Sequence, residues 1–159
     1  MGWSMGGAIS LQALVNSSHR DAIAGLILES PVVDWRTVLS YQARMLGVPS
    51  LAARATMGML ETEWASRAAR AGDGIRFDEL DMVARAEELD RPILLLHSDD
   101  DGFVPSDASR RLAESRPDIV TFVPFTVARH TKLWNYDEAR WNTAIRDWLA
   151  DQGLAPETD

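Results

Sequence analysis

The sequence predicts an α/β domain built on a parallel sheet. Three short apolar runs, within 22–30, 91–101 and 118–125, each have turn-forming or polar residues at their ends and helical stretches between them. Such runs, covered on both faces, are what parallel strands joined by helical crossovers look like in sequence. The third observation is that the chain opens "MGWSMGGAIS", a serine between glycines running straight into a small apolar helix.

In chain order, 6–18 is predicted as a helix that is apolar nearly all round, through Ala8, Ile9, Leu11, Ala13, Leu14 and Val15. Such a helix belongs under a sheet. "AIAGLILES" (22–30) follows as a strand stopped by Pro31. Residues 34–71 hold two or three helical stretches, broken near "GVPS" (47–50) and closed by "AGDG" (71–74). "RPILLLHSDDD" (91–101) is a second buried strand that runs into an acidic loop. A helix from Ser106 to about Arg116 and a strand over "DIVTFVPF" (118–125) come next. A polar loop then carries His130, and an amphipathic helix over 137–151 follows, with Ala139, Trp141, Ile145, Trp148 and Leu149 on its apolar side. The predicted organisation is one domain over 1–150, with a helical insertion at about 34–74, and a disordered tail over 151–159.

Composition narrows the function classes. The 159 residues carry a formal charge of −8, which disfavours nucleic acid and anionic membranes as partners. There is no cysteine, hence no disulfide and no thiolate chemistry. No apolar run reaches the ~18 residues of a membrane span, and no signal peptide is visible in the sequence as it stands. A cytoplasmic location is the resulting expectation. Three histidines with no carboxylate at ligand spacing imply no metal site. No glycine-rich phosphate loop follows a strand, which argues against a nucleotide or flavin domain, and no cofactor is expected.

The chemistry-bearing residues fall at strand ends. "GWSMG" (2–6) places Ser4 in a G-x-S-x-G turn, where a nucleophile needs strained backbone angles and neighbours without side chains. The helix behind it aims its N-terminus at the site, which favours developing negative charge. The pattern arises by chance in a chain of this length roughly 5% of the time, so its partners matter. A serine hydroxyl needs a base, and the base needs a carboxylate to orient it. "HSDDDGFVP" (97–105) sets Asp99, Asp100 and Asp101 at the end of a buried strand, and "ARHTKLWN" (128–135) sets His130 after the next one. His97, at a strand end, reads as structural, and His19, in a polar turn, as solvated. Asp99 and Asp100 read as loop-capping or solvated carboxylates.

With "GWSMGG", "LLLHSDDDGFVP" and "ARHTKLWN" in place, the chain from Met1 to about Leu149 resembles the C-terminal half of an α/β-hydrolase-fold serine hydrolase, the group of esterases, lipases and serine aminopeptidase-like enzymes. The resemblance implies Ser4 as nucleophile, His130 as general base and Asp101 as the acid, since the family pattern has its Asp three residues before Val-Pro, here Val104-Pro105. It implies the Met5 N–H as one oxyanion donor. Its substrate would be a small acyl compound: an ester, thioester or amide. The family inserts lids where 34–74 lies, so Trp35, Met57 and Trp64 are expected to include pocket-lining residues, against plain helix packing for most of that segment. Two positions depart from the pattern. Ser98 stands where a glycine often follows the histidine, and Arg129 where a small residue often precedes the base.

The nucleophile strand of that fold lies in mid-sheet, yet here it is represented by its last residues only. The expectation is a truncated hydrolase, nearly inactive alone, that lacks its N-terminal half or self-associates through an exposed sheet edge. The alternative is a non-catalytic module that completes its sheet with a partner chain.

Overall fold

The computed structural model describes residues 1–155 except 69 and 71. Its sheet has four parallel strands in the order β1 (Gly2–Trp3), β2 (Leu26–Glu29), β3 (Ile93–Ser98) and β4 (Val120–Phe125). Helix α1 (Met5–Asn16) links β1 to β2. Helices α2 (Trp35–Met45), α3 (Ser50–Leu60) and α4 (Glu63–Ala68) lie between β2 and β3, and α5 (Asp107–Ser115) lies between β3 and β4. Helices α6 (Leu133–Tyr136) and α7 (Glu138–Asp151) follow β4.

The period of two along a strand explains why β3 is an unbroken apolar run. Ile93 and Leu95 pack against Leu11 and Leu14 of α1 and Ala108 and Leu112 of α5 on one face. Leu94 and Leu96 pack against Leu133 and Trp148, from α6 and α7, on the other. The domain is therefore helices, sheet, helices. Along β2 the same alternation sends Leu26 and Leu28 to the α1/α5 face, and Ile27 to the α6/α7 face.

Helix starts have local causes. Asp34 caps α2, its carboxylate accepting from Arg36 N–H at 2.9 Å and from the Thr37 hydroxyl. Pro124 sits inside β4, which a central strand would not tolerate; β4 is an edge, so its missing N–H faces no partner strand.

The short strand β1 pairs with Leu28 and Glu29. The open edge on that side of the sheet is thus β1 itself, beside which Trp3 is 60% exposed. Of the segment 151–155, Asp151 closes α7 and Gly153 (φ 66°) takes the left-handed position. Gly153 N–H then bonds Ala150 O at 3.0 Å and Leu154 N–H bonds Leu149 O at 2.8 Å, a Schellman cap. Residues 156–159 lie outside the described part. Among the described residues no helix is long and apolar enough to cross a membrane.

Candidate active site

Ser4 stands at the turn from β1 to α1 with φ 50° and ψ −123°, a conformation that costs an L-residue on the order of 1–3 kcal/mol. The surroundings hold it there. Its N–H donates to Glu29 O at 3.0 Å, and its carbonyl accepts from Gly7 (3.0 Å), Val32 (3.1 Å) and Ala8 (3.3 Å). A Cβ on Gly2 would lie 2.7 Å from Gly6 O, and one on Gly7 would lie 2.6 Å from Pro31 Cβ. A Cβ on Gly6 would meet nothing within 4 Å. The glycines required by space are Gly2 and Gly7, not the Gly2 and Gly6 that G-x-S-x-G spacing suggests. Pro31, brought over by β2, decides the difference.

The three residues expected to cooperate are brought together from far apart in the chain. His130 Nε2 lies 2.8 Å from Ser4 Oγ, and His130 Nδ1 lies 2.8 Å from Asp101 Oδ2. A carboxylate only accepts, so Nδ1 carries the proton and Nε2 is free to accept from the Ser4 hydroxyl. Asp101 has no exposed side-chain surface. Burial alone would raise its pKa. The hydrogen bond from His130, the nearby His97 ring 3.5 Å from Oδ2, and the Val104 and Phe103 N–H bonds to Oδ1 at 2.9 Å each outweigh burial and hold the carboxyl well below the usual range. The lowered pKa keeps the Asp101 carboxyl ionised through the neutral range.

The neighbouring residues sort themselves by contact. His97 is fully buried; its Nε2–H donates to Val104 O at 3.0 Å and its Nδ1 accepts from Ser109 Oγ at 2.8 Å. It therefore props the Asp101 loop from inside the core. Asp99 accepts from Ser106 Oγ at 2.8 Å and pairs with Arg110 at 2.9 Å, well apart from His130's bonding partners. Ser98, where the family pattern has glycine, is buried, and its Oγ accepts from Asp100 N–H at 3.2 Å and Ala128 N–H at 2.9 Å. One hydroxyl thus ties the acid loop to the histidine loop. Gln42 of α2 donates to Phe103 O at 2.6 Å, and the Phe103 ring lies 5.3 Å from the His130 ring.

Strain gathers here. Four non-glycine residues among those described have positive φ, and three of them are Ser4, Ser30 and Thr131, at the ends of β1 and β2 and directly after His130. Met5 opens α1, so its N–H has no intrahelical acceptor.

A depression of about 430 Å³ beside His130 is lined by Asp100, Gly102, Phe103, Arg129 and His130. Trp35, Met57 and Trp64 do not line it. Trp35 packs on Ala8, Val32, Val38 and Val104, Met57 is buried, and Trp64 is 70% exposed on α4. Neither Phe103 nor Gly102 was readable as pocket lining, because only the folded loop turns them toward His130. Ser98 and Glu29 were missed for the same reason: their partners are distant in sequence.

A strand–serine–helix turn at one end of a parallel sheet, with a histidine and an acid on the following strand-end loops, defines an α/β hydrolase-type domain. A family model described as the alpha/beta hydrolase family matches residues 1–144, and the chain belongs to that family. No curated protein matches significantly in sequence. Among solved structures, an esterase of Pyrococcus furiosus superposes with a TM-score of 0.63 at 14% identity, over 96% of this chain and 52% of its own. A monoacylglycerol lipase of Paleococcus ferrophilus gives 0.57 at 21% identity, over 95% and 67%. A thermophilic esterase of Thermogutta terrifontis gives 0.57 at 23% identity, over 95% and 64%. These likenesses establish the fold. The chain spans about half to two thirds of those proteins' lengths.

Proposed function

We propose that the protein is a serine hydrolase of small acyl substrates, with Ser4 as nucleophile, His130 as general base and Asp101 as the acid that orients it. The observation that carries this reading is the unbroken relay from Ser4 Oγ to His130 to Asp101, both links 2.8 Å, on a serine held in a strained turn. His130 Nε2 takes the Ser4 proton as Oγ attacks the carbonyl. The tetrahedral oxyanion is met by the Met5 N–H at the head of α1. Collapse expels the alcohol, thiol or amine, which leaves with the proton from His130. Water, deprotonated by the same nitrogen, then releases the acid. Relatives described as esterases and a lipase favour an ester over an amide. Phe103 and Gly102 offer the substrate an apolar wall, with the Arg129 cation at its rim.

One oxyanion donor is identified here, and loss of a second costs about 10²–10³ in rate. The β1 edge of the sheet is open among the described residues, with Met1, Trp3, Met5 and Ile9 exposed beside it. The same edge favours a second reading, a non-catalytic module that pairs with another chain. An active-site fluorophosphonate separates the two. Covalent labelling that vanishes in Ser4→Ala and His130→Ala supports the hydrolase; labelling that survives Ser4→Ala overturns it.

A further inference from the structure

The mechanism leaves one buried carboxylate unused. Glu29 closes β2 and is 7% exposed, yet no cation pairs with it among the described residues. Its backbone oxygen accepts the Ser4 N–H at 3.0 Å. Its Oε1 accepts the Leu133 N–H at 3.2 Å, and its Oε2 accepts the Trp141 Nε1–H at 3.0 Å. Leu133 is the first residue of α6, so its N–H has no intrahelical acceptor. Between Leu133 and His130 lies Thr131 at φ 53°, a conformation that a β-branched residue leaves unless the surroundings fix it. The turn there is closed by Lys132 N–H on Arg129 O at 3.1 Å.

We propose that Glu29 is a positioning residue: it joins the backbone of Ser4 to the base loop, holding Thr131 in its strained conformation and His130 Nε2 over Ser4 Oγ. The inference rests on the reading of His130 as the base. A buried carboxylate is expensive unless its oxygens are used, and here one is spent on the first N–H of α6, next to the base loop, and the other on α7. The Trp141 bond anchors α7. The Leu133 bond fixes the base.

Three variants of the full chain test this: Glu29→Ala, Glu29→Gln and Trp141→Phe. Each is read by the rate of fluorophosphonate labelling of the folded fraction, and by the low-field NMR signal of the His130 Nδ1 proton, assigned by its loss in His130→Ala. A misplacement near 1 Å can cost about 10²-fold, so Glu29→Ala is expected to label about 100-fold more slowly and to lose the low-field proton to exchange. Glu29→Gln keeps one acceptor oxygen and is expected to fall about tenfold, recovering when combined with Trp141→Phe, which removes the opposing donor. Trp141→Phe alone is expected to lower thermal stability, label within twofold of wild type and retain the proton signal. A merely structural Glu29 would lower stability in all three and leave rate and proton signal alone, which overturns the proposal. Equal rate losses in Trp141→Phe and Glu29→Ala overturn it too. Should Glu29→Ala fail to fold, Glu29→Gln and its double variant decide. Absence of wild-type labelling counts against the hydrolase reading instead, and the NMR signal still tests the clamp.

Discussion

The loops that carry Asp101 and His130 are held very differently from the helices between β2 and β3. At the end of β3 and in these loops, buried polar atoms find named partners: both nitrogens of His97, both oxygens of Asp101 and the hydroxyl of Ser98. In α2, α3 and α4 the buried residues are Val38, Met57, Ala65 and Ser66, while Leu46 is 81% exposed and Leu51 79%. Ion pairs there, such as Arg67 with Glu63 and Asp73, are mostly exposed and screened. The difference teaches where geometry is stored. Atoms that must meet within a few tenths of an ångström stand on buried hydrogen bonds. The segment that faces outward buries few side chains and rests on exposed ion pairs.

The largest expected effect breaks the rigid side directly. Asp101→Asn should slow labelling or ester turnover by about 10⁴, because the amide favours the wrong His130 tautomer, whereas Asp99→Asn should change it little. Equal losses at Asp99 would move the acid assignment. The same variant also has an acid signature. Asp101's pKa is lowered in the fold, so its contribution to stability is present above the unfolded carboxylate range, near 3.9, and is lost as pH falls through it toward the native value. Chemical denaturation between pH 7 and pH 3 should show a steeper loss for wild type than for Asp101→Asn.

Next comes the turn itself. Gly7→Ala drives a methyl group to 2.6 Å from Pro31 and should cost about 1–3 kcal/mol, while Gly6→Ala, in open space inside α1, should be neutral or stabilising by about 0.5–1 kcal/mol. Thermal unfolding of the pair checks this, and equal shifts would mean that the elbow yields to Pro31. Ser98→Ala strands the Ala128 and Asp100 N–H groups, the first of them buried. A loss of about 1–3 kcal/mol with slower labelling is expected; a stability loss with unchanged labelling would show that the loops hold register without it. At the bottom of the scale, Trp64→Ala on the loosely held side should stay within about 0.5 kcal/mol and leave labelling unchanged. A larger effect on rate would place that side chain against the bound probe.

Much of the fold was legible because its signals are local. An apolar run flanked by turn residues reads as a buried strand wherever it lies, so β2, β3 and β4 fall inside 22–30, 91–101 and 118–125. The meeting of Ser4, Asp101 and His130 was legible because parallel crossovers deliver successive strand ends to one side of a sheet. Other features were hidden. Helix α6 has four residues and no periodicity to detect, and its Leu133 N–H is satisfied by a carboxylate 104 positions away. Glu29 reads from sequence as the polar end of a strand, and Ser98 as a mere departure from glycine.

By itself, then, the sequence determined the alternation of strands and helices, the serine at a strand-to-helix turn and the candidate polar groups at the strand ends, since periodicity, turn chemistry and side-chain type belong to single segments. Only the tertiary structure decided how the Asp101 carboxylate is held, which glycines space forbids from being anything else, and what fixes the histidine loop. Those outcomes depend on contacts such as Pro31 on Gly7, His97 on Asp101 and Glu29 on Leu133. Steric exclusion and buried hydrogen bonding act at distances under about 3.5 Å, and distant segments come that close only once the sheet has formed.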